Sequence, residues 1–261
     1  VVPAIGCTEP IAVALCVAKA TETLGAKPEK IDVLLSANIL KNAMGVGIPG
    51  TGMIGLPIAI ALGALIGKSE YQLEVLKDCN PAAVEEGKRF IGEKRIDISL
   101  KKNITEKLYI EVCCKSGGNK ATAIIAGGHT TFIYIARNGD VLLNKQSAGC
   151  GEEEAQVAGL TLRKVYDFAM NAPLDEIRFI LETARLNKAA DERSFDGNYG
   201  HGLGRMLRGN YEHKILGDSV FSHILSYTSG ACDARMAGAM IPVMSNSGSG
   251  NQGISATLPV L

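Results

Sequence analysis

The 261-residue chain carries 27 Lys plus Arg and 27 Asp plus Glu, so its formal net charge is zero. A chain of this length can bury a sizeable core, and the neutral balance excludes bulk electrostatic binding to nucleic acid or to an anionic membrane as its main activity. The 5% aromatic content, without Trp, offers little for stacking on single strands. Glycine is enriched at 30 residues, which indicates tight turns or close approach to a ligand.

The seven cysteines contain no C-x-x-C pair, which excludes a zinc ribbon and favours reduced thiols in a cytoplasmic protein. The uncharged stretch 45–67 is long enough to span a bilayer. Its seven glycines and two prolines favour instead a loop followed by a buried helix, so no membrane contact is expected. The chain lacks an initiator Met and ends in an apolar run, which predicts a fragment or a processing product of a longer protein.

The first part of the chain is predicted to contain buried helices and a strand. Thr8 is the expected N-cap of a helix that is apolar on all sides over 11–20. The further predicted elements are a strand at 30–37, a glycine loop at 45–52, a buried helix at 53–66 and a charged helix at 82–92.

From residue 95 the hydrophobic period changes to two. Gly117-Gly118-Asn119 and Asn138-Gly139-Asp140 are typical of hairpin turns. They predict a mainly antiparallel meander and an α+β fold class, with buried helices before the sheet and a helical region after it. The predicted strands lie at 96–100, 108–114, 121–125, 130–136 and 141–143.

After residue 150 the helical period returns. Helices are predicted at 157–170 and 174–191, followed by a glycine-rich loop at 195–204. We expect an α+β region at 1–150 and a mostly helical region at 151–261, with one continuous domain as the alternative.

Cys7 lies in the segment GCTEP (6–10), directly before a predicted helix. The N–H groups and dipole of a helix N-terminus stabilise negative charge, so this position favours a thiolate that acts as a nucleophile or metal ligand. The alternative is a small buried apolar residue at a helix entry.

Two polar loops are predicted to bind a small anion. The segment 38–52 connects a strand end to a helix without the spacing of a nucleotide-binding loop, and Asn42 and Thr51 are its candidate carboxylate ligands. The segment 245–254 is dense in hydroxyls and amides, and its alternative is a Ser/Gly linker. Its candidate substrate-binding residues are Ser245, Asn246, Ser247, Ser249, Asn251 and Gln252.

Together these segments resemble the L-cysteine desulfidase family, which is related to the α chain of iron–sulfur L-serine dehydratases. The matching motifs are GCTEP at 6–10, KNAMGVGIPGTGMIGLPIA at 41–59, GGHT at 127–130, RFILETARLN at 178–187 and ARMAGAMIPVMSNSGSGNQGI at 234–254.

The resemblance implies an oxygen-sensitive lyase that converts L-cysteine to pyruvate, sulfide and ammonia on a [4Fe–4S] cluster with one open iron. Cys7 corresponds to the family's first cluster cysteine, and the other ligands are expected beyond residue 254. Abstraction of the α-proton needs a base tuned towards neutrality. His129, Lys41 and Glu9 are the catalytic candidates, with His129 favoured.

Three other functions remain open, of which two are enzymatic. L-serine dehydratase chemistry releases hydroxide instead of sulfide. A pyridoxal-phosphate eliminase would need a Schiff-base lysine, for which only Lys41 lies near a motif. A non-catalytic domain could bind a small molecule without a complete cluster site. In each case the expected partner is a small amino acid or similar molecule, and a homo-oligomer remains open.

Overall fold

The computed structural model describes residues 2–145, 159, 161–208, 217–246 and 249–261. It confirms the α+β class, with an antiparallel-rich sheet, buried helices and a helical C-terminal region. Within these ranges no helix combines the length and hydropathy needed to cross a membrane. The predicted domain boundary near residue 150 lies outside the described residues.

Helices and strands alternate before the sheet is completed, and helices dominate after it. The strands are β1 Val2–Ile5, β2 Lys30–Leu35, β3 Ile96–Leu100, β4 Tyr109–Ser116, β5 Asn119–Ala126, β6 Phe132–Arg137, β7 Asp140–Asn144 and β8 Pro242–Ser245. The helices are α1 Thr8–Leu24, α2 Ala37–Ala43, α3 Leu56–Leu65, α4 Pro81–Gly92, α5 Leu162–Asn171, α6 Leu174–Ile177, α7 Ile180–Asp196, α8 Leu203–Arg208, α9 Val220–Met236 and α10 Gly250–Thr257, with short 3-10 turns at Ser69–Glu74 and Leu258–Val260.

The main sheet has the strand order β3-β2-β4-β5-β6-β7. Its pairs are antiparallel except β2 with β3, which run parallel. Both predicted hairpin turns are present, and Gly117, Gly118 and Gly139 adopt positive φ there, as tight β-turns require.

Helix α1 lies between the sheet and α3, because it contacts β4 and β5 on one side and α3 on the other. This position explains why residues 11–18 are apolar all round: no side of this part of the helix reaches water. Helix α4 then packs on α3. The central core therefore consists of aliphatic side chains from α1, α3 and the covered face of the sheet.

A second, two-stranded sheet joins the ends of the chain. β1 pairs antiparallel with β8, with Val2 opposite Ser245 and Ile5 opposite Pro242. Around β8, helices α7, α9 and α10 form a separate small core. Its buried members are Ala190, Ala231, Val243, Ile254 and Leu258.

Two boundary predictions in the N-terminal part are wrong. Helix α1 begins at Thr8, so Cys7 and not Thr8 is its N-cap. The strand predicted over 30–37 ends at Leu35, and α2 follows where a loop was expected. Burial of Ile39 stabilises this two-turn helix, and such a tertiary contact leaves no periodic pattern in seven residues.

The prediction of one helix over 174–191 is also wrong. The chain forms α6, interrupts at residues 178–179, and continues as α7 to Asp196. The predicted glycine loop at 195–204 is correspondingly shorter, because α7 extends into its start and α8 begins at Leu203. Of the helix predicted over 157–170, residues 157, 158 and 160 lie outside the described residues, residues 159 and 161 are not helical, and α5 begins at Leu162.

Candidate active site

Backbone contacts bring the loop after α2 against the segment that leaves α9. The Gly47 amide donates to the carbonyl of Met236 at 2.8 Å, and the Gly50 amide donates to the carbonyl of Gly238 at 3.2 Å. A Cβ on Gly47 would collide with the backbone of Ala237. This close approach needs a residue without a side chain, and it joins two motifs that lie almost 190 positions apart.

Glu9, in the first turn of α1, collects hydrogen bonds from three neighbours. Its Oε2 accepts from the Cys7 thiol at 3.0 Å and from the Thr8 hydroxyl at 3.1 Å, and its Oε1 accepts from Asn42 Nδ2 at 3.3 Å. Burial raises the pKa of Glu9, but hydrogen bonds from Cys7, its own backbone and Thr8 outweigh burial, so the pKa lies below its usual value. Glu9 is therefore an ionised acceptor that links the first two motifs.

The Cys7 thiol is buried and protonated at neutral pH. Burial and the adjacent carboxylate of Glu9 raise its pKa to about 12, although the charge of Arg235 acts in the opposite direction. Burial and Glu9 therefore oppose the thiolate that a helix N-terminus favours, and the role of Cys7 as a nucleophile or metal ligand stays a prediction. Desolvation and a like charge two residues away are stronger than the helix dipole here.

His129 lies in the turn between β5 and β6, beside a cavity of about 790 Å³. Burial lowers its pKa, Glu9 opposes this shift, and Arg235 adds to it, so the imidazole is neutral at pH 7. Volumes of this size are typical of small-molecule sites. The cavity is lined by Pro3, Tyr71, Gln72, Leu73, Glu74, Leu108, Gly127, Gly128, His129 and Thr130.

Arg235, near the end of α9, is a site residue that the sequence reasoning did not select. It is 4% exposed, and its charge acts on both Cys7 and His129. Its Nη1 donates to Asn251 Oδ1 at 2.9 Å, which connects it to the first turn of α10. The sequence signal for it was its place in the motif at 234–254, after Asp233 and before the polar segment.

The predicted ligands of the 245–252 segment lie at the junction of β8 and α10. Ser245 is buried in β8, and Asn246 pairs with Ser249 across the loop. The Ser249 hydroxyl accepts from the Gln252 amide at 3.2 Å and caps α10. Gln252 itself is exposed. Ser247 lies outside the described residues, so its predicted role has no structural account.

Asn187 supports this junction from α7. Its side chain is fully buried, accepts from the Met244 amide at 2.8 Å, and donates to Thr257 Oγ1 at 3.1 Å. The motif RFILETARLN thus contributes a clamp between β8 and α10. The structure assigns it to positioning the polar loop, a role for which the sequence offered no specific signal.

Two other candidates lie in or beside the glycine loop. The Thr51 hydroxyl donates to the carbonyl of Ile48 at 2.7 Å and accepts from the Met53 amide at 2.9 Å, so it stabilises its own turn. Lys41 is exposed on α2. A catalytic role for Lys41 and a substrate-binding role for Thr51 stay predictions.

The described residues do not fit a complete [4Fe–4S] cluster. An open-iron cluster needs three protein ligands, and within the described ranges no three His, Cys, Asp or Glu side chains are arranged to hold a metal ion. Of the described residues, the family resemblance assigns only Cys7 as a cluster ligand. Among the described residues, its thiol donates to Glu9 Oε2.

Comparison with known proteins finds a family model and several close relatives. The model described as "Serine dehydratase alpha chain" matches residues 70–261. UPF0597 protein BF3560 of Bacteroides fragilis is 81% identical over the whole of this chain, and the match covers 61% of that protein. The UPF0597 protein of Porphyromonas gingivalis is 53% identical, with 62% of its length covered.

The chain therefore spans about three-fifths of the length of the curated relatives it matches. A more distant relative, the UPF0597 protein of Aeromonas hydrophila, is 44% identical over the whole chain and is covered to 60%. No solved structure matches the chain.

Proposed function

Because the chain belongs to the serine dehydratase alpha chain family, we propose that it forms the substrate-binding part of a lyase that eliminates the β-substituent of a small amino acid. The observation that carries the proposal is the hydrogen-bonded cluster of Cys7, Glu9 and Asn42, which comes from two separate motifs. His129, from a third motif, lines a cavity of suitable size, and the charge of Glu9 acts on its pKa. Arg235 adds a positive charge at the same place.

His129 is the proposed general base. A neutral imidazole can accept the α-proton, and the lowered pKa of His129 keeps it neutral near pH 7. The electron pair left on the α-carbon forms a double bond to the β-carbon as the β-substituent leaves. The resulting enamine takes a proton to become an imine, which water hydrolyses to pyruvate and ammonia.

Glu9 has a different role in this proposal. Its low pKa makes it a poor proton acceptor at neutral pH, but its carboxylate holds the Asn42 amide and the Cys7 thiol in place. It is therefore a positioning residue. Its negative charge also opposes the burial-driven decrease in the pKa of His129 and favours the imidazolium that forms on proton transfer.

The leaving group separates the two finer proposals. L-cysteine would release sulfide, as the resemblance implies, and L-serine would release hydroxide, as the name of the matching family model suggests. A [4Fe–4S] cluster remains part of the proposal for the full-length relatives, where the ligands beyond Cys7 would come from outside the described residues. The described side chains do not favour one leaving group.

The test is pyruvate formation from L-serine and L-cysteine by the full-length protein, purified and assayed without oxygen. We expect pyruvate from at least one substrate. In His129→Gln, kcat should fall by about 100-fold or more. His223→Gln is the matched control, because His223 is exposed and pairs with Asp218 away from the site.

Two outcomes would contradict the proposal. Undiminished turnover in His129→Gln would remove the assigned base. Calorimetric binding of the amino acids without any pyruvate would favour the non-catalytic binding domain instead.

A further inference from the structure

Arg235 carries a buried positive charge for which the described residues provide no carboxylate. It is 4% exposed, and no Asp or Glu oxygen in the described ranges lies within 4.0 Å of its guanidinium. Its Nε is buried without a hydrogen-bond partner there. An unpaired buried charge is costly to the fold, so an anionic ligand at this position would relieve a cost that the protein otherwise bears.

Two acidic side chains in the site segments, those of Glu9 and Asp233, already accept hydrogen bonds from other groups. Glu9 accepts hydrogen bonds from Cys7, Thr8 and Asn42. Asp233, two residues before Arg235, accepts from the backbone amide of Leu203 at 3.0 Å at the start of α8. Neither carboxylate is paired with the guanidinium.

The first turn of α10 is shaped around this guanidinium. Gly250 lies so close to Arg235 Nε that a Cβ at this position would collide with it. Asn251, the next residue, accepts from Nη1. The small residues of the 245–252 segment thus allow the backbone to approach a cation, and the asparagine holds that cation in one orientation.

We infer that Arg235 binds the carboxylate of the amino-acid substrate, an inference that rests on the proposed lyase function. A guanidinium has a planar set of donors that matches both oxygens of a carboxylate, which a lysine ammonium does not reproduce. Its charge reaches both His129 and Cys7. Met236, the next residue, accepts a hydrogen bond from the Gly47 amide, so a carboxylate held by Arg235 would lie near the loop that follows α2.

The same contact would assist proton abstraction. Removing an α-proton beside a carboxylate places developing negative charge next to an existing one, and a fixed guanidinium stabilises that charge without reorganising. Loss of Arg235 is therefore expected to raise KM and also to lower kcat.

Binding is tested without turnover in the His129→Gln background of the full-length protein. Calorimetry compares L-serine and L-cysteine with their carboxamides, in which a neutral amide replaces the carboxylate. We expect Arg235→Gln to weaken binding of the amino acids about 10- to 100-fold and to leave carboxamide binding unchanged. Arg193→Gln, an exposed arginine on α7, is the matched control and should change neither.

Arg235→Lys keeps the positive charge but not the planar donors. It keeps the test valid if Arg235→Gln does not fold. It should retain the far-ultraviolet circular dichroism of the parent and bind the amino acids about 10-fold more weakly. Equal amino-acid affinities with and without Arg235, or equal losses for amino acids and carboxamides, would overturn the inference.

Wild-type pyruvate formation decides the proposed function separately. If Arg235→Lys and Arg235→Gln turn over substrate with unchanged KM, Arg235 does not bind the carboxylate, and the proposed lyase activity still stands. If the wild type forms no pyruvate but its binding of the amino acids depends on Arg235, the lyase activity is contradicted and the carboxylate site is supported.

Discussion

The two halves of the described chain bury different kinds of groups. Residues 2–145 enclose a continuous aliphatic core, in which Leu62 and many of its neighbours are fully inaccessible to water. In residues 161–261 the separate core is small, and large apolar side chains of α5 are exposed. All four buried side-chain atoms without a hydrogen-bond partner in the described ranges belong to this second half; they are in Thr183, Asp191, Thr228 and Arg235.

The first half therefore contributes mainly to stability, and the second half contributes polar groups that can bind a ligand. Apolar burial in the first half supplies most of the driving force for folding. It fixes the start of α1, with Cys7 and Glu9, and the turn between β5 and β6 that carries His129. The second half contributes polar groups whose hydrogen-bonding capacity is not used within the described fold. The candidate site lies where the two meet, along the contact between the glycine loop and the end of α9.

The largest expected effect is the loss of a core side chain in the first half. Leu62→Ala should lower the free energy of unfolding by about 2–5 kcal/mol, because it removes buried contacts and leaves a cavity between packed helices. The same substitution at Leu162 on α5, which is 86% exposed, should change it by less than about 0.5 kcal/mol. Urea denaturation of both variants measures the contrast, and similar losses would show that α5 is covered in solution.

The next effect is a pH dependence that originates in the second half. Burial raises the pKa of Asp191 to about 7, although Arg208 and Lys188 oppose this shift. The folded state therefore holds the proton more tightly than the unfolded state, whose carboxyl has an ordinary low pKa. Asp191 consequently reduces stability progressively as the pH rises through the interval between these two values, up to about 7.

Asp191→Asn does not titrate and should remove this loss. Relative to the variant, the wild type should lose on the order of 2 kcal/mol of unfolding free energy between about pH 5 and about pH 8. Urea denaturation at both pH values measures the change. Asp175→Asn, at an exposed carboxylate, is the control and should follow the wild type; parallel profiles for Asp191→Asn and wild type would contradict the assignment.

The smallest effect compares a buried hydroxyl in each half. Thr183 Oγ1 has no partner in the described ranges, whereas Ser36 Oγ donates to the carbonyl of Lys107 at 2.8 Å. Thr183→Val should therefore stabilise the protein by about 1 kcal/mol, and Ser36→Ala should destabilise it by about 1 kcal/mol. Thermal unfolding should give shifts of opposite sign; a loss in Thr183→Val would mean that its hydroxyl is paired.

Much of the first half could be predicted from local pattern. The uncharged run in α1 indicated a helix buried on every side, and the glycine-containing turns at 117–119 and 138–140 located the hairpins. Prediction failed where tertiary contacts decide the element. Helix α2 depends on the burial of Ile39, and the break at 178–179 divides a pattern that looked continuous.

The site was predicted in pieces. Cys7, Glu9, Asn42 and His129 were each selected from their own motifs, but no spacing in the sequence relates Asn42 to Glu9 or His129 to Arg235. Arg235 was missed because an arginine near a helix end is ordinary in a sequence, and only burial without a carboxylate makes it unusual.

The sequence by itself determined which segments avoid water and where the chain turns, because hydrophobic period and glycine placement act locally. Tertiary structure alone decided the charge states. At Cys7, a helix N-terminus argued for a thiolate, but burial and Glu9 together keep the thiol protonated. At His129, burial and Arg235 lower the pKa of the imidazole. Desolvation and the distance between charges depend on residues far apart in the chain, so no local pattern encodes them.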